Sequence, residues 1–318
     1  MSYYEFCEEI KSIVQSIVGS DYKTSVMKIN KLNGVTLQGL IIRKDYETIA
    51  PTIYLEEYYT QYQKGRDIES LAIDIIYCYF HGKPSRHSNL AIPFLVDFNT
   101  VKDRIFFRLI NYDKNRELLE TIPYVRWHDL AAIFDVLVKK DTNKIGSFHV
   151  INEIMEKWEV DTNEIYNLAM KNTRRLFGSS VRLVDDIIRE LIRKEFAQVK
   201  DKNIFDNMME TFMPGKNDSG KFHKMYIASN SLGINGAAWL LYEDEIRSLS
   251  NKLNASLYII PSSIHEIIII SAYKWIPKDR LLGMVKEVNN TQVPLQEVLS
   301  NNVYFFDRET DKIYPLAS

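Results

Sequence analysis

The stretch Leu257–Ser271, LYIIPSSIHEIIIIS, decides how the chain is read. Two apolar, β-prone runs flank a short polar bend that holds Ser262, Ser263, His265 and Glu266. Those are the residue types of a hydrolytic triad, so the stretch poses a choice between a catalytic turn and the bend of a hairpin. A triad needs its nucleophile hydrogen-bonded to the imidazole and the imidazole oriented by the carboxylate. Neighbours on an extended chain point to opposite faces, so Ser263 and His265 share a face while Glu266 points away from His265. There is no Gly-x-Ser-x-Gly elbow to present a nucleophile. The bend therefore reads as a hairpin turn between two buried strands, its hydroxyls finishing main-chain groups. A ligand-binding turn and a catalytic turn rank behind it.

Working outward from that hairpin, the C-terminal part reads as strand Lys224–Ser229, helix Ala237–Leu253, strands Leu257–Pro261 and Glu266–Ala272, helix Lys278–Asn289 and a final strand pair, VYFFD and KIYPL. A second hairpin is signalled upstream by Asn33-Gly34 between Val26–Asn30 and Val35–Ile42. It follows an N-terminal helix with Phe6, Ile10, Ile13, Val14 and Ile17 at helical spacing. Helices are expected over Thr52–Gln63 and Asp67–Phe80, with Gly65 between them. A third strand pair is expected at Asp129–Val138 and Ser147–Ile151, after a strand at Asp103–Ile110 and a short helix at Asn115–Ile122. Helices at 152–158 and 162–176 follow, the second capped by Asp161 or Thr162 ahead of Glu164. Residues 181–200 carry one apolar stripe and predict a single amphipathic helix. The fold class is α+β: antiparallel sheets flanked by helices, organised as three helix-strand-strand-helix units. The expected divisions are an α+β subdomain over 1–85, a second over 86–177, a helical connector over 178–223 and a third α+β subdomain over 224–318.

Bulk properties narrow the function classes. Forty basic residues against 42 acidic ones leave a formal charge of -2 in 318 residues, which gives no whole-chain attraction to nucleic acid or an anionic membrane. No apolar run approaches the roughly 20 residues of a membrane helix. The two cysteines, Cys7 and Cys78, read as reduced, buried thiols, and the N-terminus resembles no signal peptide. A cytoplasmic location follows from those features.

Elsewhere the chemistry is sparse. The six histidines are scattered, no Cys-x-x-Cys occurs, and neither a metal nor a cofactor is expected. Gly233 and Gly236 lie between a strand and a helix but match no phosphate-binding signature, so they read as turn and close-packing glycines. Arg182, Arg189, Arg193 and Lys194 on the 181–200 helix are interrupted by Asp185, Asp186, Glu190 and Glu195, the mixture of a solvated face. The segment Ile204–Met213, IFDNMMETFM, carries Met208, Met209 and Met213 and offers an adaptable apolar surface to a partner protein, although closing a core beneath it is the favoured reading.

Several segments carry a resemblance that runs over nearly the whole chain. MYIASNSLGINGAAWLL, SLYIIPSSIHEIIII and MVKEVNNTQVPLQEVLSNNVYFFD, with the earlier VTLQGLIIRKDYETIAPTIYLEEYY, DRIFFRLINYDKNRELLETIPYVRWHDLAAIF and EKWEVDTNEIYNLAMKNT, resemble a bacterial family of unknown function, DUF5688. The turn Pro261–Glu266 and the segment Glu287–Val293 are its sharpest parts. The resemblance implies a bacterial, intracellular setting, often in the company of mobile genetic elements. It carries no catalytic residue.

Together these readings favour a non-enzymatic binding or regulatory protein that engages another protein through a sheet edge or the Met-rich segment. The alternative is a hydrolase or small-ligand-binding protein with a site at Ser262, Ser263, His265, Glu266 and Asn289. A third reading is a nucleic-acid accessory role through Arg189 and Arg193. The sequence leaves the oligomeric state open.

Overall fold

The computed structural model describes residues 1–46, 50–82, 97–141, 144–195, 224–261, 263–272 and 276–316. The chain divides into two compact units, Met1–Ile92 and Pro93–Ser318. Three antiparallel sheets with helices on their faces make it an α+β protein.

In the first unit, helix α1 (Tyr3–Val18) opens on a capping box. The Ser2 hydroxyl accepts the Glu5 N–H at 3.3 Å and the Glu5 carboxylate accepts the Ser2 N–H at 2.8 Å. Its stripe Phe6, Cys7, Ile10 and Val14 is buried against Leu71, Ala72, Ile75 and Tyr79 of α3 (Ile68–Gly82) and the inner face of a three-stranded sheet. That sheet is β1 (Lys23–Asn30), β2 (Thr36–Arg43) and β3 (Thr52–Tyr54), in that order. Asn33 (φ 61°) and Gly34 (φ 71°) both take the left-handed conformation that closes the β1–β2 turn, which is why Asn-Gly stands there. The helix expected over Thr52–Gln63 is shorter: Thr52–Tyr54 pairs with β2, Ile53 opposite Leu40, and α2 spans Glu56–Gln63. A β-branched and aromatic triplet beside an open strand takes the ladder rather than the helix. Cys7 is buried as expected, but Cys78 is exposed, because it lies off the Leu71–Ala72–Ile75–Tyr79 stripe of α3.

The second unit begins with α4 (Phe98–Val101), β4 (Ile105–Asn111) and α5 (Arg116–Leu119). Strands β5 (Tyr124–Trp127), β6 (Leu130–Asp141) and β7 (Lys144–His149) join β4 in a four-stranded sheet in which β6 is central. Helices α6 (Asn152–Trp158) and α7 (Thr162–Phe177) follow. Asp161 caps α7, accepting the Glu164 N–H at 2.8 Å. The single helix expected over 181–200 is instead a strand, β8 (Ser180–Leu183), and a helix, α8 (Val184–Glu195). The apolar spacing is continuous across the two, but Val181 finds Ala228 as a ladder partner. Residues 196–223, including Met208, Met209 and Met213, lie outside the described residues.

A six-stranded sheet, β13-β12-β10-β11-β9-β8, completes the unit. Its strands are β8, β9 (Met225–Ser229), β10 (Leu257–Ile260), β11 (Ile267–Ser271), β12 (Tyr304–Asp307) and β13 (Lys312–Pro315). The helix expected over Ala237–Leu253 is a buried 3-10 segment, Gly236–Leu241, followed by α9 (Glu243–Leu253). Helix α10 (Lys278–Thr291) packs Leu281 and Val285 against Tyr258, Ile260 and Ile270. The three expected strand pairs, β1–β2, β6–β7 and β10–β11, are antiparallel and fall in three different sheets, each extended by further strands. Among the described residues no helix is long and apolar enough to cross a membrane.

Candidate functional site

The bend of the opening stretch is built from both sides. Strand β10 is buried throughout, and Ile260 pairs with Ile268 of β11, so residues 261–266 turn the chain. Within the turn, the Ser263 hydroxyl accepts the main-chain N–H of His265 at 3.0 Å, and Ser263 itself bridges to Val298. The imidazole faces elsewhere: Nδ1 accepts the Asn235 N–H at 3.2 Å and Nε2 lies 3.7 Å from the Glu297 carboxylate. The His265 carbonyl accepts the Ser229 hydroxyl at 2.7 Å. Ile264 donates to the Glu297 carbonyl at 2.9 Å, and Ser300 donates to the Pro261 carbonyl at 3.0 Å. A side chain on Gly236 would put Cβ 2.5 Å from the His265 carbonyl oxygen and 2.0 Å from the Ser229 hydroxyl, so only glycine fits there.

The Ser263 hydroxyl thus meets the main chain of His265 and not its imidazole. Glu266 is half-buried and takes no part in these bonds. Asn289 joins one step away: its amide donates to the Ser300 carbonyl and to Asn301 Oδ1, both at 2.8 Å. Its own Oδ1 is buried without a hydrogen-bond partner. Ser262 lies outside the described residues. The same 298–304 segment is tied to Asp129, which accepts the Ser300 hydroxyl at 2.6 Å and the Tyr304 phenol. Burial, then the Asp129 charge, pushes the Tyr304 phenol far above its ordinary pKa and keeps it a donor.

A second polar cluster sits in the four-stranded sheet, and the sequence reading did not single it out. Asp135, on central strand β6, has a side chain only 3% exposed. Arg108 of β4 donates to one carboxylate oxygen at 3.1 Å, and His149 of β7 lies 2.6 Å from the other. Ser147 adds a bond at 3.2 Å. Burial alone would raise the carboxyl pKa; the Arg108 charge and the His149 and Ser147 hydrogen bonds outweigh it and hold Asp135 below the usual carboxylate range. The cluster is internally paired, as a buried carboxylate must be. Its available signal was one acid inside the apolar run AAIFDVLV. Among the described residues no group of three or more His, Cys, Asp or Glu is placed to hold a metal ion.

The third feature is the free side of β1. Lys31 donates to the Val35 carbonyl at 2.7 Å, so in an antiparallel ladder the odd-numbered residues of β1 face β2 and the even-numbered ones face away. Thr24 agrees: its N–H goes to Gln15 Oε1 of α1 at 3.0 Å. The outward N–H and C=O groups of Val26, Lys28 and Asn30 have no partner among the described residues. The sheet face away from the core carries Met27, 46% exposed, with Ile29, Leu37, Ile41 and Tyr54 half-buried. The edges of the six-stranded sheet, β8 and β13, are four residues each, and β13 ends in a proline.

Fold and sites together define an α+β protein with an open strand edge along β1, a buried Asp135 cluster that is internally paired and a polar turn that leaves the Asn289 Oδ1 unpartnered among the described residues. A family model described as a family of unknown function (DUF5688) matches residues 3–308, and the chain belongs to that family. No curated protein and no solved structure matches it.

Proposed function

We propose that this protein is a non-enzymatic binding module that captures an extended segment of another protein by adding it as a further strand along β1. The unpaired main-chain groups of Val26, Lys28 and Asn30 carry the reading. An edge of this length, left without cover, is a template for strand addition, and its ladder supplies affinity independently of the partner's side chains. The apolar residues Met27 and Ile29 on the same strand would pack against alternate side chains of the incoming segment. The two free thiols, Cys7 and Cys78, fit the reducing bacterial cytoplasm that the family resemblance implies.

A displayed library of random eight-residue peptides panned on the full chain tests this. Binders should protect the amides of Val26, Lys28 and Asn30 from hydrogen exchange, and the Lys28→Pro variant should lose them, because proline removes an outward donor without breaking a β1–β2 bond. Binding that survives Lys28→Pro, or no enrichment at all, overturns the proposal.

One observation favours a second reading, a small-ligand site beside Ser263 and His265: the buried, unpartnered Oδ1 of Asn289. A ligand there at 100 times its dissociation constant would add about 2.7 kcal/mol of stability, read as a thermal shift. A shift that persists unchanged in both His265→Ala and Asn289→Ala removes that reading.

A further inference from the structure

We infer that the segment β1 accepts is one whose side chains alternate apolar with acidic, its carboxylate lying beside Lys28; this rests on the strand-addition reading above. Strand β1 and the turn residue after it, KTSVMKIN-K, carry Lys23, Lys28 and Lys31 and no acidic residue. Two of these lysines are already engaged. Lys23 pairs with Asp45 at 2.7 Å. Lys31 donates to the Tyr54 hydroxyl and lies 4.2 Å from the centre of that ring. Lys28 is exposed and has no ion-pair partner among the described residues. It is also the midpoint of the open stretch, because Gln15 occupies Thr24 on one side and the turn at Lys31 closes the other.

The two faces of the sheet divide the recognition. Met27 and Ile29 lie on the face away from the core, so they call for apolar residues at alternate positions of the incoming strand. Lys28 lies on the opposite face, so the residue between those apolar ones stands beside its ammonium group. Opposite charges across neighbouring strands attract and like charges repel. The same argument rejects a second copy of this chain as the occupant. Two open stretches centred on Lys28, paired antiparallel, would set Lys28 against Lys28.

Two synthetic eight-residue peptides test the inference on the full chain by fluorescence polarisation. Both alternate valine with threonine; the central residue on the threonine face is aspartate in one and lysine in the other. The aspartate peptide should bind about tenfold more tightly, and Lys28→Glu should reverse the order. Lys28→Gln should bring the two peptides together. If both bind equally to the native chain and both are lost with Lys28→Pro, strand addition stands and recognition of an acid is overturned. If neither binds, strand addition itself falls, and the inference with it.

Discussion

Strands β1 and β4 are both sheet edges, and the molecule finishes them in opposite ways. Along β4, helix α7 supplies the missing partners. The Thr173 hydroxyl accepts the Phe107 N–H at 3.0 Å, and the Asn172 amide donates to the Ile105 carbonyl at 2.9 Å and the Lys102 carbonyl at 2.8 Å. Thr173 and Asn172 are buried. Along β1, by contrast, one side chain covers one position, Thr24, and the next three outward residues have no main-chain partner among the described residues. Main-chain donors and acceptors must be satisfied wherever water is excluded. At Ile105 and Phe107 the buried β4 edge is closed by side chains of α7, whereas among the described residues the β1 edge is left open for a partner.

Substitutions can break this contrast, starting where the interior is most polar. Asp135→Ala, in the four-stranded sheet, should cost about 3–5 kcal/mol in urea unfolding, because it removes the carboxylate that pairs the Arg108 guanidinium, whose side chain is only 13% exposed. A cost below about 1 kcal/mol would show that the carboxylate is not held as described. Asn172→Leu should cost about 2–3 kcal/mol and Thr173→Val about 1–2 kcal/mol, since each leaves buried main-chain groups of β4 unpaired. At the other edge, Lys28→Pro should change stability by less than about 1 kcal/mol, because its N–H faces water. An equal loss at the two edges would erase the distinction between them.

Acid titration sharpens the same comparison. Asp135 titrates below its unfolded value of about 4, so the stability it contributes is present above that pH and is lost as pH falls through the folded value. Unfolding free energies measured from pH 6 down to pH 3 should fall more steeply for the native chain than for Asp135→Asn. Parallel slopes would contradict the pairing with Arg108 and His149.

The legible parts of this fold are those written in local pattern. The runs LYII and IIIIS announced their hairpin, Asn33-Gly34 its turn and Asp161 its helix cap, because each depends on neighbours a few residues away. Two segments misled for the same reason. Thr52–Tyr54 and Val181–Leu183 carry apolar spacing that flows into the following helix, and only a strand from elsewhere in the chain makes each a strand. The Asp135 cluster joins partners 27 and 14 residues away, across two strand pairings, and pattern reading cannot assemble such a set. The openness of β1 follows from its place in the sheet order. For the turn at 261–266, the sequence placed Ser263 and His265 side by side, while their actual bonds run to Asn235, Glu297 and the main chain, which sequence proximity does not reveal.

Gln15 has a further consequence. Its amide nitrogen is tied to the carbonyls of Gly19 and Tyr22, both at 2.9 Å, so the oxygen that meets Thr24 is held fast rather than swinging in water. It acts as a doorstop on the rail that β1 presents: a guest chain can run alongside only from Val26 to the bend at Lys31 and must then peel away. A footprint that short favours guests that come and go, and it denies the purchase that runaway fibre growth would need.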